Sequence, residues 1–324
     1  MLGLAWGQWT TLGVAGIGAA AHSIVDPEAL LVATMSVGRW DARLFDEAVD
    51  WVACNSAILD AARLRRLAAG SDPEQRRLMT AVLHLAAHGD ARPGLQRVES
   101  DLIAREATSH YGMQPLFRSQ DVGTLDWAMP DETFAAAGFH RSELNLRGMS
   151  RRPNASTPAC IRFRARALVG VGARAEVLTY LWTHEWAHGR LIAERSAYNQ
   201  SPVAEYLAAL AASGLAEKRT AGRRTEYRLV TKLGDVGRPA PIYVAWDSVW
   251  PAITRVASSL DSTSLSDDAL WSRFAATLEA ERGPLASEGF NIHVPDLVGW
   301  TADGTSRLET VGDAILKLVQ EFSG

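Results

Sequence analysis

The sequence predicts a mostly α-helical protein in three parts, with three short helices and a β-hairpin in the middle part. Apolar residues recur at helical spacing through most of the 324-residue chain. Between residues 173 and 229, three such segments precede two segments of alternating polarity around Gly222. Stretches containing glycine, proline and small polar residues flank this unit at 150–158 and 234–241. The expected parts are an N-terminal helical domain, a central unit and a C-terminal helical domain, at residues 1–150, 160–234 and 240–324.

Helices are predicted through most of the N-terminal part, because residues that typically begin a helix precede segments in which apolar residues recur at helical spacing. Asp26 followed by Pro27 opens one helix, and Asp41 opens the next. The tripeptide Arg92-Pro93-Gly94 is expected to end the last helix, and residues 110–140 are expected to be rich in loops. The predicted helices cover about residues 27–36, a segment after residue 41, residues 57–69 and residues 73–88.

The central unit is predicted to have the order helix, helix, helix, hairpin. Its helices are expected at Ala173–Thr183, at about Arg190–Ser196 and from near Gln200 onward. Asn199 can cap the third helix, and Gly214 is expected to end it in a left-handed conformation. The predicted strands are Leu215–Arg219 and Thr225–Leu229. This order, within about sixty residues, is typical of a winged helix-turn-helix, whose third helix enters the DNA major groove.

Two sequence segments resemble known winged-helix proteins. The run ASGLAEKRTAGRRTEYRL, at residues 212–229, resembles the end of ArsR/MarR-type winged-helix domains. The N-terminal run from Ile24 to Val52, with LVGVGARAEVLTYL further on, is similar to larger actinobacterial winged-helix regulators. Some of those regulators lie beside nucleotidyltransferase toxins of the abortive-infection type. The resemblance therefore implies an antitoxin-like role that regulates its own operon or contacts a toxin-like protein partner.

The C-terminal part is predicted to return to helices, and Pro251 is expected to kink the first of them or to start a new one. These helices are expected at about residues 244–260, 267–281 and 308–322. Most of the 11 tryptophans of the chain lie in apolar segments with helical spacing. We therefore expect them in cores or domain contacts rather than stacked on nucleic-acid bases.

Composition is that of an ordinary soluble protein, with 47% hydrophobic and 22% charged residues. The two cysteines provide neither a disulfide framework nor a four-cysteine zinc site, and they fit the reducing cytoplasm. No run of eighteen apolar residues predicts a membrane span. The N-terminal segment has no positive leader, so it is expected to be the first buried segment and not a signal peptide.

Charge is unevenly distributed along the chain, whose formal net charge is −4. Residues 141–234 contain 16 Lys or Arg and 7 Asp or Glu, which gives +9, and the remainder carries −13. A basic middle between acidic ends is the pattern expected where one segment contacts DNA.

The predicted partner is double-stranded DNA, bound by a homodimer as operator symmetry would require. The third helix has no Lys or Arg at its exposed start, but Gln200 could bond adenine and Ser201 a phosphate or base edge. The positive charge lies in the hairpin and ahead of the unit, so phosphate contacts are expected to supply most of the affinity. The predicted DNA-contacting residues are Asn199, Gln200, Ser201, Arg219, Arg223, Arg224, Arg228, Arg162 and Arg164.

Two other functions are compatible with the sequence. A winged helix that has lost DNA binding would be a protein-interaction module. The string His184-Glu185-Trp186-Ala187-His188 matches HExxH, in which two histidines on one helix face bind zinc and the glutamate activates water. That zinc metallohydrolase would need one continuous helix and a third ligand, for which the spacing offers Glu194 in place of the metzincin histidine. No catalytic residue, metal ligand or cofactor is expected.

Overall fold

A computed structural model of the chain describes residues 1–16, 18–89, 92–106, 111–118, 130–231, 241–259 and 266–288. Over these residues the protein is mostly helical, with a small sheet. The helix expected at 308–322 and most of the glycine- and proline-containing stretch at 234–241 lie outside the described residues.

The N-terminal part contains most of the helices that its start signals predict. The Asp26 and Asp41 carboxylates each accept a hydrogen bond of 3.0 Å from the backbone of the first helical turn that follows them. The elements are α1 Leu2–Thr11, α2 Pro27–Val37, α3 Ala42–Asn55, α4 Ala61–Ala69, α5 Pro73–Gly89, α6 Pro93–Glu106, β1 Gln114–Pro115, α7 Glu132–Ala136 and β2 Phe139–His140. The two short strands pair in parallel.

Two expectations for this part were wrong. The helix predicted at 57–69 is interrupted, because Ser56–Ile58 forms a short 3-10 turn and Asp60 then caps α4 through Arg63 N at 3.0 Å. Pro93 starts a helix and does not close one: it is the first residue of α6. Proline is well tolerated at a first helical position, because the N–H that it lacks would have no partner there.

The central part has the predicted helices and hairpin, with one additional helix and one additional strand. Its elements are α8 Ile161–Val169, α9 Ala173–Thr183, β3 Ala187–His188, α10 Gly189–Arg195, α11 Gln200–Ala212, β4 Ala216–Ala221 and β5 Arg224–Leu229. The three strands form an antiparallel sheet in the order β3-β5-β4. Gly214 and Gly222 have φ of +74° and +61°, so the end of α11 and the hairpin turn both use the left-handed region that glycine favours.

The flanking parts share one apolar core. Trp246 and Trp250, on α12 (Trp246–Ser258), lie in the same buried cluster as Trp9 and Trp51. The following helix, α13 (Asp267–Ala286), packs against α12. The described part of residues 240–324 therefore packs as a layer on the N-terminal helices. Buried residues of the central part form a second cluster, which includes Val177, Leu181, Ile192, Val203 and Leu207.

A buried network of charged residues joins the central part to the N-terminal helices. Glu28 on α2 accepts two hydrogen bonds of 2.8 Å from Arg166 on α8. Arg166 also lies 3.2 Å from Glu176 on α9. Arg63 on α4 pairs with Asp26 and lies 3.2 Å from Glu28. Burial by itself would raise the pKa of Asp26, but the guanidinium groups of Arg162 and Arg63 outweigh it and hold that pKa well below its usual range.

Candidate nucleic-acid interface

The start of α11 presents polar side chains to solvent. Gln200 and Ser201 are exposed, whereas Val203 and Leu207 on the opposite face are fully buried. Asn199 occupies the N-cap position with extended backbone, but its side chain makes no capping hydrogen bond. Its Oδ1 instead accepts a weak hydrogen bond of 3.4 Å from Arg66 Nη1. The capping role expected for Asn199 is therefore corrected: its side chain is held by α4.

Arg66 brings a positive charge to a helix that has none on its own. Its guanidinium lies over the ring of Tyr198, 4.3 Å from the centroid, in the turn that leads into α11. The Tyr198 hydroxyl donates to Asp60, and burial together with the Asp60 charge raises the Tyr198 pKa above its ordinary value. Sequence reasoning missed Arg66, because 133 residues separate it from Asn199 and no local pattern relates the two.

Arg223 and Arg224 lie at the exposed tip of the hairpin, next to Gly222. Neither has a carboxylate partner among the described residues. Arg224 Nη1 lies 3.3 Å from His188 Nε2. His188 Nδ1 accepts the N–H of Leu191, so in the neutral ring Nε2 carries the hydrogen and the contact with Arg224 joins two donors. The two tip guanidinium groups therefore keep donors for an external acceptor.

The other two predicted arginines of the hairpin already have partners. Arg219 pairs with Glu226 at 2.7 Å, and Arg228 pairs with Glu217 at 2.9 Å. Both guanidinium groups lie over Trp186, at 4.1 Å and 4.8 Å from its ring centroid. Strand register explains the pairing, because residues 219 and 226 and residues 217 and 228 are cross-strand partners. A phosphate at this face would have to compete with these carboxylates.

Arg162 and Arg164 are not placed with the other predicted DNA-contacting residues. Arg162 is 1% exposed, and its Nη1 lies 2.8 Å from Glu176 and 3.4 Å from Asp26. Arg164 is half-buried and donates two hydrogen bonds of 3.0 Å to the carbonyls of Ala155 and Ser156. The DNA role expected of Arg162 is therefore corrected: it belongs to the buried charge network.

The same geometry corrects the interpretation of the regional charge. Several arginines between 141 and 234 neutralise carboxylates from elsewhere in the chain, and so they add little positive charge to the surface. These pairs are Arg141 with Asp46, Arg147 with Glu47, Arg162 with Asp26, Arg166 with Glu28, and Arg195 with Glu288. The net charge of +9 thus overstates what DNA would meet. Among the described residues of the predicted site, the hairpin tip is where the arginines have neither a carboxylate nor a carbonyl partner.

The HExxH string does not lie on one helix. The helix α9 ends at Thr183, His184 is extended at φ −115° and ψ 147°, and Ala187–His188 is strand β3. The ring of His184 stacks on Tyr180 at 3.8 Å, and that of His188 caps α10 through Leu191 N at 3.0 Å. The two histidines therefore do not share a helix face, which the zincin arrangement requires. Within the described residues, no three His, Cys, Asp or Glu side chains are grouped as metal ligands.

No family model, curated protein or solved structure matches this chain. Among the helices that the structure describes, none is both long enough and apolar enough to cross a membrane.

Proposed function

We propose that this protein is a DNA-binding transcriptional regulator whose central part is a winged helix-turn-helix. The proposal depends on the order helix, strand, helix, helix, strand, strand with sheet order β3-β5-β4, which sets α11 beside a hairpin with Arg223 and Arg224 at its tip. In a unit of this order, the third helix is suited to the major groove and the hairpin to the neighbouring backbone or minor groove.

Each exposed group in this arrangement has a fitting DNA contact. The Gln200 amide matches the two hydrogen-bonding positions of adenine in the major groove. Ser201 and the free N–H groups at the start of α11 favour a phosphate, as helix N-termini do. Arg223 and Arg224 are suited to phosphates or to a narrow minor groove. A homodimer would place two such units on successive major grooves.

The direct test is duplex binding by the full chain at several salt concentrations, using random DNA and the DNA upstream of its own gene. Replacing Arg223 and Arg224 with alanine should weaken both duplexes by similar factors. It should also flatten the logarithmic salt dependence by about one unit per lost phosphate contact. The matched control replaces Arg97 and Arg105, two exposed arginines of α6, and should change neither quantity. Absence of duplex binding at low salt would overturn the proposal.

A second candidate is a protein-interaction module. It is favoured by the exposed face of α11, where Ala204, Ala208 and Ala209 accompany Glu205 and no cation is present. Such a face is suited to close packing against another protein surface. The resemblance to winged-helix regulators suggests a toxin-like protein as the partner. Failure of the wild-type chain to bind either duplex at low salt, with the fold intact, would favour this candidate.

A further inference from the structure

A cleft of about 1240 Å³ lies between the N-terminal helices and the central part. Its walls come from α2, α4, α10, α12 and α13. The apolar part of the lining includes Val32, Ala33, Leu67, Leu191 and Trp250. This volume is at or above the upper end for small-molecule sites, which are mostly apolar with a few polar groups that fix orientation.

Two guanidinium groups in the cleft have buried donors without acceptors. Arg66 Nε and Nη2 and Arg273 Nη2 are shielded from solvent and have no hydrogen-bond partner among the described residues. Their remaining contacts are few: Arg66 Nη1 reaches Asn199, and Arg273 Nε donates to the Ser259 carbonyl at 2.5 Å. Buried charged donors left unpaired are costly, so these atoms indicate a place for an acceptor.

The other arginines of the cleft are already neutralised. Arg255 makes two hydrogen bonds to Glu281, of 2.6 Å and 2.8 Å, and Arg195 pairs with Glu288. An anion entering the cleft would therefore bind most favourably at Arg66 and Arg273. Apolar walls beside two guanidinium groups that have no carboxylate partner among the described residues suit a molecule with a charged head and an apolar body.

We propose that this cleft binds a small organic anion with an apolar body, and that Arg66 and Arg273 hold its charged group. The carboxylate of Asp247 also lines the cleft, and its Oδ1 has no partner among the described residues. Burial raises the Asp247 pKa to about 6, although Arg63 opposes this and Asp26 adds to it. Arg162 and Tyr243 are the other groups facing it. Anion binding should therefore be tighter at pH 6 than at pH 7.5, because a protonated Asp247 does not repel the ligand, whose own carboxylate stays ionised over this range.

Binding to the full chain can be measured by calorimetry with acetate, hexanoate and decanoate, and with decanol as the uncharged analogue of decanoate. Affinity should rise by about fourfold for each methylene that the apolar wall buries. Decanol should bind at least about tenfold more weakly than decanoate, because it gives the guanidinium groups no charged acceptor. Equal binding of decanol and decanoate would overturn the assignment of the head group.

Substitutions then locate the site. Arg66→Gln and Arg273→Gln should each weaken decanoate by about tenfold or more. Arg65→Gln is the matched control, because Arg65 lies next to Arg66 on α4 but pairs with Asp101 at the surface. Ser36→Phe, which places a ring in the cleft from α2 without changing charge, should abolish binding. Thermal unfolding of each variant checks its fold, and decanoate affinity unchanged in the folded Arg66, Arg273 and Ser36 variants would overturn the proposal.

The contact between Arg66 and Asn199 links the cleft to the start of α11, and this step rests on the proposed DNA function. A ligand that recruits Arg66 should change duplex affinity by at least about twofold, and Asn199→Ala should remove that effect. Decanoate binding without any effect on duplex affinity would overturn the coupling between the cleft and α11, but the proposed ligand site would stand. Decanoate binding in a chain with no duplex affinity would instead overturn the DNA function.

Discussion

At the scale of single residues, Gln200 and the two tip arginines have different parts in the proposed complex. Gln200 is exposed at the first position of α11, where a side chain in the major groove meets base edges. Arg223 and Arg224 lie at the tip of a two-strand hairpin, which in the proposed complex would contact the DNA backbone or the minor groove. Sequence preference and overall affinity should therefore depend on different residues.

Gln200→Ala should reduce sequence preference without a general loss of affinity. We expect a cost of about 1–3 kcal/mol at a preferred site and little change on random duplex, because a base-specific pair of hydrogen bonds is lost. Competition between a selected and a random duplex measures the difference. Gln96→Ala, on α6, is the matched control and should behave like wild type. An equal loss on both duplexes would show that Gln200 does not face base edges.

We expect Asp247 to make the free energy of unfolding depend on pH. Burial raises its pKa from 3.8 to about 6, so the folded state holds this proton more tightly than the unfolded state. The free energy of unfolding should therefore decrease as pH rises from about 4 to about 6, by roughly 2–3 kcal/mol in all.

Asp247→Asn removes this ionisation cost. The variant should be more stable than wild type by about 2–3 kcal/mol at pH 7.5, and the difference should shrink toward zero at pH 4. Urea unfolding at several pH values measures it. Ser248→Ala, at the neighbouring exposed position, should give a difference that does not depend on pH. A constant difference for Asp247→Asn would show that this carboxyl is not the source of the slope.

At the scale of elements, the hairpin β4–β5 limits its own positive charge. Glu217 and Glu226 lie directly across from Arg228 and Arg219 and hold their guanidinium groups over Trp186. Replacing both glutamates with glutamine should increase duplex affinity and steepen the salt dependence, by up to about one unit for each arginine released. Glu132→Gln with Glu143→Gln makes the same change of charge outside the hairpin and should have a much smaller effect. Weaker duplex binding by the hairpin variant would mean that the ion pairs orient Arg219 and Arg228 for contact with DNA.

The elements of the central part could be predicted because their signals are local. Helical spacing, the glycine at 214 and the alternation around Gly222 each act within a few residues, and α9 has the bounds that the sequence predicts. The ion pairs of Arg219 and Arg228 with glutamates can also be predicted from the sequence, since a hairpin centred on Gly222 fixes which residues face each other. The sequence does not identify α6 clearly, because a proline such as Pro93 fits the end of one helix and the first position of the next equally well.

Long-range contacts explain most of what the sequence did not predict. Arg162 and Arg66 look alike in sequence, as arginines on amphipathic helices, yet one is buried between Glu176 and Asp26 and the other lies beside α11. Arg162 is paired with Asp26 and Arg66 with Asn199, and each of these partners lies more than a hundred residues away in the chain. Local patterns contain no information about such partners. The predicted set of DNA-contacting residues therefore differs more from the structure than the predicted helices do.

At the scale of the whole molecule, the buried charges bind the two clusters of apolar residues into one structure. Glu176 contacts both Arg162 and Arg166 and is 1% exposed. Glu176→Gln should lower the free energy of unfolding by about 3–5 kcal/mol, because it removes one negative charge from a buried network whose arginines stay charged, leaving Arg162 only Asp26 and Arg166 only Glu28 as carboxylate partners in it.

The control for this substitution is Glu279→Gln, which breaks an exposed pair with Arg282. It should cost less than about 1 kcal/mol. Denaturant unfolding followed by tryptophan fluorescence measures both variants, since tryptophans lie in both clusters. Similar small losses for the two substitutions would mean that solvent reaches the network.

The order of protein synthesis gives the buried network a further consequence. Glu28 and Arg63 leave the ribosome before Arg166, the bidentate partner of Glu28, which is 138 residues further along the chain than Glu28. At about 5–20 residues per second, this arginine follows Glu28 by roughly 7–28 s. During that interval α2 and α4 carry charges that their own helices cannot fully neutralise. We therefore expect the N-terminal helices of a nascent chain to remain open and accessible to proteases or chaperones until α8 has been made.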